Sequence, residues 1–315
     1  MAEKTLEDKL MRFKPFCYLV ALLKKIVIPG FEGMTAYDLL KTYLTGIIEG
    51  ALSSRAGSIA YSFFMAIFPA LLFLLNLIPY IPIDDFDLKF MSFIYKLIPE
   101  QSLPFFEPII SDISQTERGG LLSVAGVLAL LLMANGVNAI FSGFEGSYNV
   151  HINRGFVRQY VVALGVSIVL ALLLVITISI LIYFEYALNT LRDQDFMSDS
   201  TDIKLLSAGS YIFFMIMIYL VVATLYYFGT KEGRSHSFLS SGALMTTLLF
   251  MLTTYFFGIY IDNFSNYNEL YGSIGALLIM MLYIWINSNL ILLGFELNAV
   301  LRKLRIAHKN PNTNK

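Results

Sequence analysis

Two carboxylates lie in segments whose other residues are mostly apolar, and each follows an asparagine by seven residues. The stretch NAIFSGFEGSYN contains Asn138 and Glu145, and the stretch NLILLGFELNAV contains Asn289 and Glu296. On a helix, seven residues make about two turns, so the members of each pair share a face about 10 Å apart. An ionisable side chain at the centre of a membrane helix costs about 2.5–3.5 kcal/mol, so it must face protein, water or headgroups.

The two glutamates allow two interpretations. In the first, they line an inward-facing polar cavity and bind a cation, a proton or a basic group of a substrate. In the second, each one caps the helix bundle by pairing with Arg55, Arg154, Arg302 or a backbone donor. The first interpretation predicts that Glu296→Gln and Glu145→Gln abolish activity while folding and membrane insertion persist.

Further polar or helix-bending residues complete a candidate substrate path. Asn76 lies in the first apolar segment, and Asn135 lies one turn before Asn138. Pro69, in the middle of the first segment, removes a backbone donor and favours a kink, so it is either a packed bend or a hinge. The predicted path is lined by Arg55, Asn76, Asn135, Asn138, Glu145, Asn289 and Glu296, with Pro69 as the hinge candidate.

No residue spacing in the chain is typical of an enzyme site. The three histidines, His151, His236 and His308, belong to no paired metal-ligand motif, and no phosphate-binding glycine loop is present. The only cysteine, Cys17, cannot form an internal disulfide. A net charge of -1 argues against nucleic acid as a partner. We therefore expect no enzymatic activity, no metal and no cofactor.

The elements that position these residues are long apolar helices. Of the 315 residues, 57% are hydrophobic and 14% are charged, against about 45–50% and 25% in soluble domains. Six segments are long enough to cross a bilayer, which takes about 20 residues. They lie near 57–82, 120–145, 158–184, 206–229, 237–261 and 272–298. The sequence thus predicts an all-α, polytopic membrane protein with six transmembrane helices.

Basic residues in the connections predict the orientation. The N-terminal segment, the alternate connections and the C-terminus hold 17 of the 22 Lys and Arg residues. Because cytoplasmic loops are enriched in these residues, both termini are predicted to be cytoplasmic. The predicted organisation is a cytoplasmic or interfacial segment over 1–56, a six-helix membrane domain over 57–301 and a cytoplasmic tail over 302–315.

Amphipathic helices are predicted beside the spans. The stretch AYDLLKTYLTGIIEGAL places leucines, isoleucines and Tyr43 on one stripe, which indicates an N-terminal helix on the membrane surface or packed under the bundle. Residues 17–28 form a second candidate. The connection 84–118 predicts a short helix at the outer interface, with a re-entrant segment as the alternative.

Three motifs carry a family resemblance. The first span contains an Ala-Tyr pair followed by Phe-Pro, in AGSIAYSFFMAIFPALLFLLNLI. The last begins with Tyr-Gly and ends with Gly-x-Glu-x-Asn, in YGSIGALLIMMLYIWINSNLILLGFELNA, and GGLLSVAGVLALLLMANGVNAIFSGFEGSYNV lies between them. Over about residues 40–305 the chain resembles the YihY/virulence factor BrkB family, formerly labelled ribonuclease BN. It departs from the family pattern in the Ser and Phe after Ala60-Tyr61, and in Phe295, where a small residue is usual. The resemblance implies a multi-pass protein of the bacterial inner membrane and assigns no catalytic residue.

The sequence favours transport or lipid handling through a polar path or groove between helices. A lipid substrate is slightly favoured because the predicted surface helices border both leaflets. The alternative is a non-transporting scaffold, or a partner of an envelope-assembly or secretion machine, in which the polar residues satisfy one another. The expected partners are membrane lipids, joined by envelope proteins in the scaffold alternative. Ribonuclease activity is disfavoured because the short cytoplasmic loops leave little room for a metal site or an RNA-binding face.

Overall fold

The computed structural model describes residues 20–22, 24–26, 35–77, 103, 107–108, 122–150, 154–193, 200–231, 233, 238–263 and 273–309. These residues are almost entirely helical, which agrees with the predicted all-α class. The outer helix or re-entrant segment predicted within 84–118 lies outside the described residues, apart from three isolated positions.

Seven helices cover most of the described chain. They are α1 Ala36–Glu49, α2 Leu52–Leu77, α3 Leu122–Glu145, α4 Phe156–Asp193, α5 Ser200–Gly229, α6 Ser241–Asn263 and α7 Ser273–Lys309. Each predicted span coincides with one helix from α2 to α7. Helix α7 extends beyond the predicted span, so residues 302–309 of the predicted tail are helical. The stretch LRKLRIAHK is rich in helix formers, and its cations suit the negative end of the helix dipole.

Four of these helices contain a stretch long and apolar enough to cross a membrane. The stretches are Phe156–Leu181, Ala208–Gly229, Ser241–Tyr260 and Leu277–Lys303. Helices α2 and α3 have 26 and 24 residues, which at 1.5 Å per residue is about 36–39 Å and long enough to span hydrocarbon. The structure supports four of the six predicted spans, and the count of six stays a prediction.

Helices α2 to α7 pack as a ring in chain order. Each helix contacts the next, α7 returns to contact α2, and α3 also contacts α5 and α7. Helix α1 lies against α7 and α2. The starts of α2, α4 and α6 and the ends of α3, α5 and α7 form one end of the ring, which we call the basic end because Arg55, Arg154 and Arg302 lie there.

The core of the basic end is built on aromatic stacking and close helix contact. Phe144 of α3 and Phe295 of α7 stack with ring centroids 4.2 Å apart, and Tyr226 of α5 meets both rings edge to face. Helices α6 and α7 cross where Gly242 faces Gly294, so closely that a Cβ on either glycine would overlap the other helix. The Phe295 side chain is therefore accommodated by aromatic partners.

Candidate functional site

Glu296 is the centre of a buried polar cluster at the basic end. Its side chain is 0% exposed, and its Oε1 lies 2.9 Å from Nη2 of Arg55. Its Oε2 accepts hydrogen bonds from the Ser147 hydroxyl at 2.8 Å and from Nδ2 of Asn149 at 3.3 Å. Each carboxylate oxygen thus has a donor, as a buried charge requires. We call these four residues the Glu296 cluster.

Arg55 reaches the cluster from the first turn of α2. The chain turns sharply before this helix, where Ala51 adopts a left-handed φ of 46° that is uncommon for alanine. Nη1 of Arg55 donates to the carbonyl of Gly143 at 2.7 Å, one of the carbonyls left without a partner in the last turn of α3. Its Nε is buried and has no acceptor among the described residues. Such buried donors are uncommon, so Arg55 can bind one more oxygen.

The turn that follows α3 brings Ser147 and Asn149 to Glu296. Backbone amides of this turn bond to the last turn of α3 and within the turn itself, and the Asn149 N–H donates to the Ser147 hydroxyl oxygen at 3.2 Å. Two cations of α7 contact the same asparagine. Arg302 donates to its carbonyl at 3.3 Å, and Nζ of Lys303 lies 3.4 Å from its Oδ1. The turn is therefore held between α3 and α7.

Tyr43 of α1 lies at the edge of the cluster. Its hydroxyl donates to the carbonyl of Leu293, one helical turn before Glu296, at 3.0 Å. Burial raises the pKa of Tyr43 to about 12, and the nearby charge of Glu296 adds to the rise. The phenol therefore stays protonated and remains a donor at physiological pH. Of the two places predicted for the N-terminal amphipathic helix, the structure has it packed against the bundle.

The two Asn–Glu pairs of the sequence do not form one polar row. Oε1 of Glu145 accepts the backbone N–H of Arg154 at 3.0 Å, and Oδ1 of Asn138 accepts from Nε2 of Gln159 at 3.0 Å. Both bonds fasten α3 to the start of α4. Asn289 donates at 2.8 Å to the carbonyl four residues earlier on its own helix. The matching spacings therefore correspond to different local contacts.

The remaining candidates lie apart from the cluster or outside the description. Asn135 is exposed on α3. Asn76 and Pro69 lie on α2, but their side chains are outside the described part of the chain. The described contacts join only Arg55 and Glu296 of the seven predicted path residues to each other.

Hydroxyl groups from three other helices donate to carbonyls of α7 just before Glu296. The bonds run from Thr246 to Leu290 at 3.4 Å, from Tyr226 to Ile291 at 2.7 Å and from Tyr43 to Leu293 at 3.0 Å. A carbonyl that accepts a second donor bonds its own helix less strongly, and such side-chain insertions accompany helix bending. These bonds fix α7 to α1, α5 and α6 next to the carboxylate.

Sequence reasoning did not find Ser147, Asn149 or Tyr43 as partners of Glu296. The first two belong to GSYN, a run of small and polar residues at the end of an apolar helix. Such a run is typical of a tight turn, in which polar side chains can point towards the protein interior. Tyr43 was one position of an apolar stripe, and only the contact between α1 and α7 reveals what its hydroxyl does.

The groups of the cluster define the chemistry open to it. A guanidinium, a carboxylate, a hydroxyl and an amide suit ion pairing and the binding of a proton, a cation or a polar headgroup. Among the residues that the structure describes, no three His, Cys, Asp or Glu side chains are placed to hold a metal ion.

A ring of long apolar helices with an ion pair buried inside it defines an α-helical integral membrane protein. Comparison with known families then makes the assignment specific. The chain belongs to the Virulence factor BrkB family, whose model matches residues 44–315. The resemblance seen in the sequence motifs is thereby confirmed.

Individual relatives cover most of the chain at modest identity. The ribonuclease-like protein YfkH of Bacillus subtilis (strain 168) is 28% identical over 261 residues, which are 82% of this chain and 93% of that protein. A UPF0761 membrane protein of Tolumonas auensis is 28% identical over 257 residues, 78% and 79% of the two chains. One from Psychrobacter sp. (strain PRwf-1) is 25% identical over 289 residues, 89% of this chain but 51% of its own length. No solved structure matches the chain significantly.

Proposed function

We propose that the protein transports or handles a membrane lipid along a polar path between its helices, and that the Arg55–Glu296 pair closes this path at the cytoplasmic end. The proposed location is the bacterial inner membrane, with both termini in the cytoplasm, and the distribution of basic residues supports this orientation. It acts without a cofactor and is not an enzyme.

The observation that carries the proposal is the position of the ion pair. Arg55 and Glu296 join α2 to α7, the first and last helices of the ring, so the pair lies where the ring closes on itself. A buried ion pair adds little to the stability of a fold, because apolar residues of similar volume in its place often stabilise the protein as much or more. Ionisable residues inside membrane bundles more often mark substrate or ion pathways. The buried Nε of Arg55 adds a donor that a substrate oxygen could use.

A lipid substrate is supported by the exposed face of α1. Leu40, Leu44 and Ile48 form a stripe along this helix and are 40%, 47% and 73% exposed. An apolar stripe beside a membrane bundle suits contact with acyl chains at the interface. Since Tyr43 ties the same helix to α7 next to Glu296, the proposed lipid surface and the ion pair meet at one place.

The test is transbilayer movement of a fluorescent phospholipid in proteoliposomes. The wild-type protein should move the lipid faster than protein-free vesicles, and Glu296→Gln at equal reconstitution should fall to the protein-free rate. Glu107→Gln is the matched control, because Glu107 is exposed and should keep the wild-type rate. Wild-type protein that moves no lipid, or a Glu296→Gln protein as fast as wild type, would refute the proposal.

A non-transporting scaffold is the second candidate, and one observation favours it. Every oxygen of Glu296 is already bonded by protein donors, so the cluster can serve as a clamp that fixes α2, α7 and the turn after α3. In that case the protein would act as a partner in an envelope-assembly or secretion machine. Cysteines introduced at 138 and 289 on a Cys17→Ala background would then resist water-soluble thiol reagents, whereas a water-filled path would expose them.

A further inference from the structure

A small cleft opens at the basic end, and Phe295 is part of its lining. It lies between the end of α5, the start of α6 and α7, and most of its volume is open to solvent. Its polar lining consists of Tyr227, Thr230, Ser240, Asn298 and Arg302. None of the seven path candidates is among its described lining residues, although Phe295 and Asn298 of the lining are close to Glu296 on α7.

The charge of the lining has one sign. Arg302 supplies a cation, and no carboxylate lines the cleft among the residues that the structure describes. Lys231, next in sequence to the lining residue Thr230, is exposed and adds a further positive charge nearby. Arginine is the side chain best matched to phosphate, because its planar fork can donate two parallel hydrogen bonds.

The hydroxyl groups of the cleft lining can donate further hydrogen bonds. The Ser240 hydroxyl oxygen accepts from Nδ2 of Asn298 at 2.9 Å and from the Ala243 N–H at 3.2 Å. The Thr230 hydroxyl oxygen accepts from the Gly233 N–H at 2.9 Å. Because both oxygens act as acceptors in these bonds, each hydroxyl still has its own hydrogen to donate.

We propose that this cleft binds a phosphate group through Arg302, Ser240 and Thr230. The phosphate can belong to a lipid headgroup or be a free anion, since both present the same oxygens. The inference does not rest on the proposed path: no side chain of the Glu296 cluster lines the cleft, and the two are joined where Arg302 donates to the backbone carbonyl of Asn149.

The test is calorimetric titration of the detergent-purified full-length protein with two probes, inorganic phosphate and short-chain phosphatidate. Arg302→Gln should weaken binding at least about tenfold, in keeping with the loss of a charge-assisted hydrogen bond. Arg305→Gln is the matched control, because Arg305 is an exposed arginine one turn further along α7 and should bind like wild type. Binding of phosphatidate alone identifies a headgroup site, and binding of both probes identifies a general phosphate site.

A second readout covers the case in which Arg302→Gln does not fold. Phe238 lines the cleft, and the chain has one tryptophan, so Phe238→Trp on a Trp285→Phe background reports on the cleft by fluorescence. Whichever probe binds in the calorimetric titration should change the tryptophan emission, and this change should saturate as the probe concentration rises. The absence of saturable binding, an unchanged emission, or an equal loss in Arg305→Gln would overturn the proposal.

Discussion

At the residue scale, the buried charge of Glu296 is stabilised by contacts from two distant parts of the chain. Arg55 lies 241 positions away in the sequence and Ser147 lies 149 positions away. The sequence identified Glu296 as an unusual carboxylate and named Arg55 as one of several partners. It could not choose among them, because that choice depends on which helices close the ring.

The pKa of Tyr43 gives a pH-dependent prediction. The phenol has a pKa of about 10 in the unfolded chain and about 12 in the folded protein. Its contribution to stability is therefore full below about pH 10 and is lost as the pH rises from about 10 towards about 12. We expect the difference in thermal unfolding midpoint between wild type and Tyr43→Phe to be constant below about pH 10 and to shrink above it.

Comparing wild type with Tyr43→Phe isolates the effect of the Tyr43 hydroxyl on stability, because the other tyrosines and the lysines titrate in both proteins. A midpoint difference that stays the same up to about pH 12 would show that the phenol ionises as freely in the folded protein as in the unfolded one. That result would place the Tyr43 side chain in water rather than against α7.

At the element scale, α7 is the helix on which most of the polar contacts converge. It carries Glu296 and Arg302, and it receives hydroxyl donors from α1, α5 and α6. The sequence predicted α7 as the last span. It did not predict the added hydroxyl bonds, since Thr246 and Tyr226 sit in ordinary apolar segments whose neighbours are set by packing.

The crossing of α6 and α7 makes a prediction about Gly294. A Cβ at this position would overlap the hydroxyl groups of Thr246 and Tyr226 and the carbonyl of Gly242. We expect Gly294→Ala to destabilise the protein by about 1–3 kcal/mol, the usual cost of overpacking a core. The measurement is the thermal unfolding midpoint in detergent.

Gly258→Ala is the matched control, because Gly258 lies on α6 with no described atom within 4 Å of an added Cβ. There the higher helix propensity of alanine should leave stability unchanged or raise it. If Gly294→Ala were as stable as this control, α6 and α7 would have to lie further apart than the structure places them.

At the scale of the whole molecule, hydropathy predicts the helices well and their arrangement poorly. The predicted span 120–145 matches Leu122–Glu145 within two residues, whereas α2 begins at Leu52 and not at 57. The missed turn contains Ser53 and Ser54, which are exposed, and Arg55, whose side chain is largely buried at the basic end. Short connections predict that α3 adjoins α4 and that α5 adjoins α6, but the contact of α2 with α7 appears only in the folded ring.

The central claim is that the charges of the Arg55–Glu296 pair are needed for movement of substrate and not for the fold. The measurement that tests it most directly compares stability and phospholipid movement in the double variant Arg55→Met with Glu296→Met. Replacing both members of a buried ion pair by apolar residues is often neutral, or stabilising by about 1–4 kcal/mol. Ser147 and Asn149 lose the carboxylate oxygen that accepts from them, but their mutual hydrogen bond and the contacts to α7 do not involve Glu296.

We expect the double variant to keep the wild-type unfolding midpoint or exceed it, and to lose phospholipid movement in proteoliposomes. A double variant that is equally stable and moves lipid at the wild-type rate would contradict the account. It would show that the pair is a structural clamp and that any path through the protein lies elsewhere.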